Sequence, residues 1–201
     1  MNKGIILIGA GGHAKVIVEI IEESGGTIQQ IVDANQVATE LLGYPVTTEI
    51  PKGYPAIIAI GNNSIRKRIA NENKEIEFSS GIHPSANVSK RCVIKNGSVV
   101  MAGVSINSGT SVGNHCIINT NASLDHDCVI GDFVHISPNA ALAGNVIVGE
   151  GSHIGIGSSV IQGIQIGQWV TVGAGAVIIE DIPDHAVVVG VPGKIIKYNK
   201  P

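Results

Sequence analysis

From Ile82 to Ile178, every sixth residue of this chain is a branched aliphatic, with no insertion and no change of phase. The series runs Ile82, Val88, Ile94, Val100, Ile106, Val112, Ile118, Leu124, Ile130, Ile136, Leu142, Val148, Ile154, Val160, Ile166, Val172, Ile178. A period of six fits neither the 3.6 of a helix nor the simple alternation of a two-sided sheet. It predicts a parallel β-helix in which each hexad is a short strand plus a turn and three hexads make one triangular coil. Every member of the series then stacks inside the prism on the residue eighteen positions earlier.

The composition agrees with a solenoid. Hydrophobic residues make up 44% of the 201, charged residues only 14% and aromatics 3%, while 26 glycines are available for turns. A net charge of −3 with no basic run argues against a nucleic-acid or membrane-surface partner. No apolar stretch reaches the roughly 20 residues that span a bilayer. The apolar N-terminus is interrupted at Gly9–Gly12 without a small-residue cleavage site, so no signal peptide is expected and the cytoplasm is the expected location. Cys92, Cys116 and Cys128 each stand two residues before a member of the series, in a column otherwise filled by small residues, and match no zinc or redox spacing. They are expected to be packed, reduced thiols.

Upstream of the repeats the pattern changes. Residues 4–8 read as a buried parallel strand, followed by a glycine turn, Gly9-Ala-Gly-Gly-His-Ala14, and a helix through Val16, Ile17, Ile20 and Ile21. A second strand, 27–32, ends at Asp33. A looser segment holds Tyr44-Pro45, and 56–60 is a third strand. Asn62-Asn63-Ser64 then caps a helix to about Asn73. This is a small α/β domain, a Rossmann-like half, over residues 1–80, with the β-helix and its C-terminal cap over 81–201. The first turn fits the loose dinucleotide fingerprint, with Ala14 in the place of the third glycine and Asp33 able to accept from a ribose hydroxyl. A half-domain of this length suits a mononucleotide or nucleotide-sugar better than a dinucleotide. The competing reading is a tight turn that binds nothing.

Within the repeats, glycine directly follows the aliphatic position at Gly113, Gly131, Gly149, Gly155, Gly167 and Gly173, which predicts positive φ there. Asp181-Ile182-Pro183 is expected to break the coil, leaving the tail to cap the prism. Counting in eighteens stacks His153 on His135 and places Gly144 one coil beyond His126, which lies between Asp125 and Asp127. A histidine beside carboxylates can act as a general base, and a nearby glycine N–H can meet the charge developing on a thioester oxygen. On residues alone, a solvated surface cluster is the competing account of that corner. Hexad prisms also include zinc enzymes, but no histidine pair here has their five-residue spacing, so no metal is expected.

The stretches Gly9–Ala14, Ala59-Ile-Gly-Asn-Asn-Ser-Ile-Arg66, Asn119–Gly131, His135-Ile-Ser-Pro-Asn139 and Gly190-Val-Pro-Gly-Lys194 together resemble the bacterial sugar O- and N-acyltransferases with a left-handed parallel β-helix. The resemblance is nearest to the UDP-4-amino-sugar N-acetyltransferases that carry an N-terminal nucleotide-sugar domain. It implies acetyl-CoA as cosubstrate, a nucleotide-linked (UDP expected) 4-amino-4,6-dideoxy sugar as acceptor, and a homotrimer with its active sites between prisms. It further implies His126 as general base with Asp127 as its acidic partner, where the family often has Glu. Asn119 would help near the acceptor and Gly144 would supply the oxyanion donor. His135, Ile156, Ala174 and Gly175 would contact acetyl-CoA, and Gly11, Gly12, His13, Asp33, Ala34 and Gly61 the nucleotide. No cysteine falls on a nucleophile position, so direct transfer is expected rather than an acyl-enzyme. Two alternatives remain: O-acetylation of a sugar or sialic acid, and a non-catalytic nucleotide-sugar-binding protein.

Overall fold

A computed structural model describes residues 4–35 and 38–199; the remaining ends of the two expected domains, and residues 36 and 37, lie outside the described residues. The repeat region forms seventeen two-residue strands, from β6 (Gly81–Ile82) to β22 (Val177–Ile178), one every six residues. They stack in parallel into three walls, each strand pairing with the strand eighteen residues away. The first wall contains the strands at 81–82, 99–100, 117–118, 135–136, 153–154 and 171–172. The second contains those from 87–88 to 177–178, and the third those from 93–94 to 165–166. The aliphatic series fills the interior from Val100 upward, and the small column (Cys116, Ala122, Cys128, Val134, Ala140) packs between its members. The parallel β-helix with an N-terminal α/β domain is therefore present.

Two details of the turns differ from expectation. Positive φ falls three residues after each aliphatic position, without a gap from Gly97 to Gly175, and is occupied by glycine, Asn, Asp, His, Phe or Trp. The glycines at 113, 131, 149, 155, 167 and 173 instead keep negative φ and are required by crowding. A Cβ at Gly149, for example, would come 2.6 Å from the backbone of Gly167 one coil above. The 181–183 segment also does not break the solenoid. Ile182 bridges to Ile166 and is buried, and Val172 pairs with Val188, so the last coil is two residues shorter and the inward series resumes at 182 and 188. β23 (Ala186–Val189) and β24 (Lys194–Tyr198) then form an antiparallel hairpin that extends the first wall.

The N-terminal sheet has the order β3-β4-β2-β1-β5, with β1 at Ile5–Ile8, β2 at Ile28–Val32, β3 at Glu40–Leu41, β4 at Tyr44–Thr47 and β5 at Ala56–Ile58. The Tyr44-Pro45 segment, expected to be loose, is a strand. Pro45 faces the two-residue edge strand β3, where a missing N–H is tolerated, while Val46 and Thr47 pair with β2. Helices α1 (Gly12–Glu23) and α2 (Asn63–Glu72) follow the first and last glycine turns, and Asn62 caps α2 through Ile65 N at 3.0 Å. This domain lies against the first wall. There the outward positions 99 and 117 are Val and Ile, which share a core with Ile17, Ile20 and Ile57; higher up the same column turns polar, at His135, His153 and Thr171.

Because the prism interior is closed only where coils cover it, equal truncations should cost unequally. Ile136→Ala, in mid-prism, is expected to lower unfolding free energy by about 2–5 kcal/mol. Ile82→Ala, at an end where the side chain is 41% exposed, should cost less than about 1 kcal/mol. Urea titrations of the two variants compare them directly.

Candidate active site

The corner after the second wall carries His126. Its Nδ1 lies 2.8 Å from Asp127 Oδ2, and its backbone N–H donates to Asp125 Oδ1 at 2.8 Å. Asp127 occupies the positive-φ position, φ 59°, which Asp tolerates better than the longer, family-typical Glu; despite the missing methylene it reaches the ring. Asp125 is fixed in turn by Asn107 Nδ2, one coil below, at 2.8 Å. That contact, with the His126 N–H, holds the Asp125 carboxyl below its usual range. The bond to Asp127 and the charge of Asp125 raise the His126 pKa above the ordinary 6.5. With Nδ1–H donated to Asp127, Nε2 carries the free lone pair. A Cβ on Gly144 would lie 2.5 Å from that nitrogen, so only glycine leaves space there. Among the described residues the Gly144 N–H has no acceptor. The side chain of His126 is 54% exposed in the single chain.

A second group lies on the first wall and the corner following it. His135 and His153 stack with centroids 4.7 Å apart and planes 2° from parallel. Asn119 Nδ2 is 3.0 Å from His135 Nε2, and Ser137 Oγ 2.7 Å from His153 Nε2. The His135 ring also bonds the Gly61 backbone, across the domain boundary. Asn119 thus joins His135 and not His126. Ile156, Ala174 and Gly175 sit at the same corner as Asn119, two to three coils higher, and Ile156 is exposed. On one prism the His126 corner and the Asn119 corner are separated by the whole second wall, whose outward side chains are small: Ser105, Ser123, Ala141, Ser159.

The third group surrounds the two glycine turns. Asp33 is engaged by the turn itself: Oδ2 accepts from Ala10 N at 2.9 Å and Oδ1 from Asn35 N at 2.9 Å. With Ala34 and Gly9 it lines a cleft of about 350 Å³ that also includes Ile60 and Ile65. Every described glycine has positive φ or a neighbour that a Cβ would crowd, apart from Gly11, Gly12 and Gly61. Nothing inside the chain requires glycine at these three, and they sit at the N-termini of α1 and α2. The missing side chains leave the backbone at these turns open to close approach. His13 Nε2 is buried without a partner.

The domain interface also contains groups that the sequence did not disclose: Arg66, His115, and the ion pair between Lys67 and Glu150, with Lys67 over the Trp169 ring. Asn107 beneath Asp125 was reachable by the eighteen-residue count; Arg66 was not, because its partners belong to the other domain. Cys116 and Cys128 point into the prism, and burial pushes the Cys116 thiol up to about 12, so neither is a nucleophile. Among the described residues no three potential ligands converge on a metal site, and no helix is long and apolar enough to cross a membrane.

A hexapeptide prism with a histidine–aspartate corner, joined to a glycine-turn α/β domain, defines a hexapeptide-repeat acyltransferase. Residues 4–73 match the PglD N-terminal domain family, and residues 127–155 the bacterial transferase hexapeptide family. Perosamine N-acetyltransferase from Caulobacter crescentus, solved with CoA and GDP-perosamine, is 40% identical over 96% of this chain and 97% of that one, with a TM-score of 0.93. Two of its solved forms are variants of a single histidine. The acetyltransferase domain of PglB from Neisseria gonorrhoeae, in complex with acetyl coenzyme A, is 40% identical over 98% of this chain and all of that one, at 0.91. UDP-N-acetylbacillosamine N-acetyltransferase of Bacillus subtilis is 44% identical over 113 residues, 50% of this chain and 52% of that protein. The chain belongs to this family of sugar N-acetyltransferases with a PglD-type N-terminal domain.

Burial depresses His13 and His115 to about 4 and His135 to about 3, from an ordinary 6.5. These rings are neutral when folded and take up protons on unfolding below pH 6.5. The unfolded state therefore binds more protons there, and stability falls as pH is lowered from 6.5 toward 4. The thermal midpoint should drop between pH 7 and pH 5, and the drop should be shallower in His115→Phe.

Proposed function

We propose that this chain transfers the acetyl group of acetyl-CoA to the amine of a nucleotide-linked amino sugar. The observation that carries the reading is the His126 corner, whose Nε2 is free, polarised through Asp127 and next to an uncommitted Gly144 N–H. The amine lone pair attacks the thioester carbonyl while Nε2 takes the amine proton. The Gly144 N–H receives the negative charge on the carbonyl oxygen. Collapse of the tetrahedral intermediate breaks the C–S bond, and the CoA thiolate recovers the proton from His126. The product is an acetamido sugar plus CoA, with no acyl-enzyme.

In this reading the glycines at 11, 12 and 61, with His13, Asp33 and Ala34, hold the nucleotide, and residues 1–80 serve as its domain. His135, Ile156, Ala174 and Gly175 receive acetyl-CoA along the first wall and the corner after it, where Asn119, the helper near the acceptor, bonds the His135 ring. Since that corner and His126 are a wall apart on one prism, the site is completed between two copies in a homotrimer. The flat second wall of small side chains fits a neighbouring prism. The solved relatives, with CoA and GDP-perosamine or with acetyl coenzyme A, support both ligands. A cytoplasmic setting accords with three unpaired thiols. O-acetylation is the lesser reading, because free sialic acid has no use for a nucleotide turn.

A thiol-release assay with acetyl-CoA and a panel of UDP- and GDP-linked 4-amino sugars tests the assignment. His126→Ala should keep its fold and CoA affinity while turnover falls by about a hundred-fold or more; near-normal acetylation would remove His126 as the base. Transfer requires neutral His126, so kcat/KM should fall as pH drops through the raised pKa. Asp127→Ala removes the bond that raises it. Its acidic limb should move to lower pH, with a reduced plateau.

A further inference from the structure

Arg66 is 1% exposed, first in size among the fully buried side chains of the described residues, and lies between the two domains. All five of its N–H groups are engaged. Nε donates to His115 O at 2.7 Å and Nη2 to Phe133 O at 2.9 Å, both at the prism corner after the third wall. On the other side, Nη1 donates to Ile60 O at 3.1 Å and Gly61 O at 3.2 Å, and Nη2 to Asn63 Oδ1 at 2.9 Å. Every acceptor is neutral. Among the described residues no carboxylate forms an ion pair with Arg66. A buried charge satisfied only by dipoles is costly. Burial lowers its pKa only to about 10, so the guanidinium stays charged at neutral pH.

The position of that charge is informative. Its acceptors Ile60, Gly61 and Asn63 make up the β5–α2 turn, and Gly61 is one of three glycines with no internal reason to be glycine. The other two, Gly11 and Gly12, start α1 on the adjacent turn. A Cβ on Gly9 would come 2.9 Å from Ala59 O, so the two turns lie against each other. The surrounding rings of His13, His115, His135 and His153 are neutral, so they add no charge of their own.

We propose that Arg66 is a positioning residue for the nucleotide-sugar. It locks the β5–α2 turn to the prism and places an unneutralised positive charge behind the glycines that receive the diphosphate. The tie sets the height at which the sugar meets the catalytic wall. The charge makes the empty turn favour a dianion over an uncharged nucleoside. This rests on the nucleotide-sugar reading of the glycine turns.

Calorimetry with UDP against uridine, and GDP against guanosine, tests it, together with KM values for both substrates. Arg66→Gln should lose about ten-fold or more in affinity for the diphosphate while nucleoside affinity and the KM for acetyl-CoA hold. Arg66→Lys keeps the charge but offers at most three donors, so its diphosphate-selective loss should be smaller and in the same direction; if Arg66→Gln does not fold, this variant decides. Equal weakening of nucleoside, diphosphate and acetyl-CoA in step with a lower melting temperature would reduce Arg66 to a structural strut. Unchanged diphosphate binding would overturn the proposal outright. A wild-type chain that binds neither nucleoside diphosphate nor acetyl-CoA would instead overturn the function on which the proposal rests.

Discussion

Eighteen-residue stacking is the constraint on which the rest of the molecule depends. Each coil places one aliphatic residue per wall directly over its predecessor, and backbone hydrogen bonds run only to the coils above and below. An insertion of one residue would turn a wall's interior side chains outward. The chain accommodates a single departure, the two-residue shortening at 178–182, and it does so at the end of the prism where the capping hairpin begins. Elsewhere the register is strict, and corner residues are therefore held at fixed heights. His126, Asn107 and Gly144 come together because the same corner returns every eighteen residues.

The prism presents three walls of stacked two-residue strands. The α/β domain is positioned against it by an apolar seat and by several polar contacts, among them the Lys67–Glu150 ion pair and the bonds from Asn63 to Gly151 and Ser152. Val99, Met101 and Ile117 give it an apolar seat on the first wall. Arg66 supplies the buried, charged one, spanning from the glycine turn to two carbonyls of the neighbouring corner. Above the seat the wall turns polar, and the neutral His135–His153 pair with Asn119 and Ser137 lies where the two domains meet. Apolar seat, buried cation and polar ladder together hold the glycine turns at a fixed height on the prism.

Much of this was legible because periodicity reports directly on what stacks. The ruler placed Gly144 beside His126 and His153 on His135, and the cap of α2 followed from Asn62. What the ruler could not show were contacts between parts of different period. Arg66 reads as one more basic residue on an amphipathic helix until its partners at 115 and 133 are known. The crowded glycines were assigned the wrong cause for a similar reason: a residue directly after a strand looks like a turn residue, but Gly149 is constrained by the coil above and not by its own φ. Pro45 disguised a strand, because it faces only the two-residue edge strand β3 while Val46 and Thr47 carry the pairing with β2.

In the proposed mechanism, catalysis joins the His126 corner of one copy to the nucleotide and Asn119 side of another. Mixed assembly tests it most directly. His126→Ala lacks the base, while Gly11→Asp places a carboxylate at the start of α1, where a Cβ meets nothing within 4 Å and folding is undisturbed. Each variant should be inactive alone. When the two are unfolded, mixed and reassembled, random trimers should regain activity at about a quarter of their sites, because each site draws its two halves from different copies. Mixtures that stay as inactive as their parents would contradict the account and place the whole reaction on one chain.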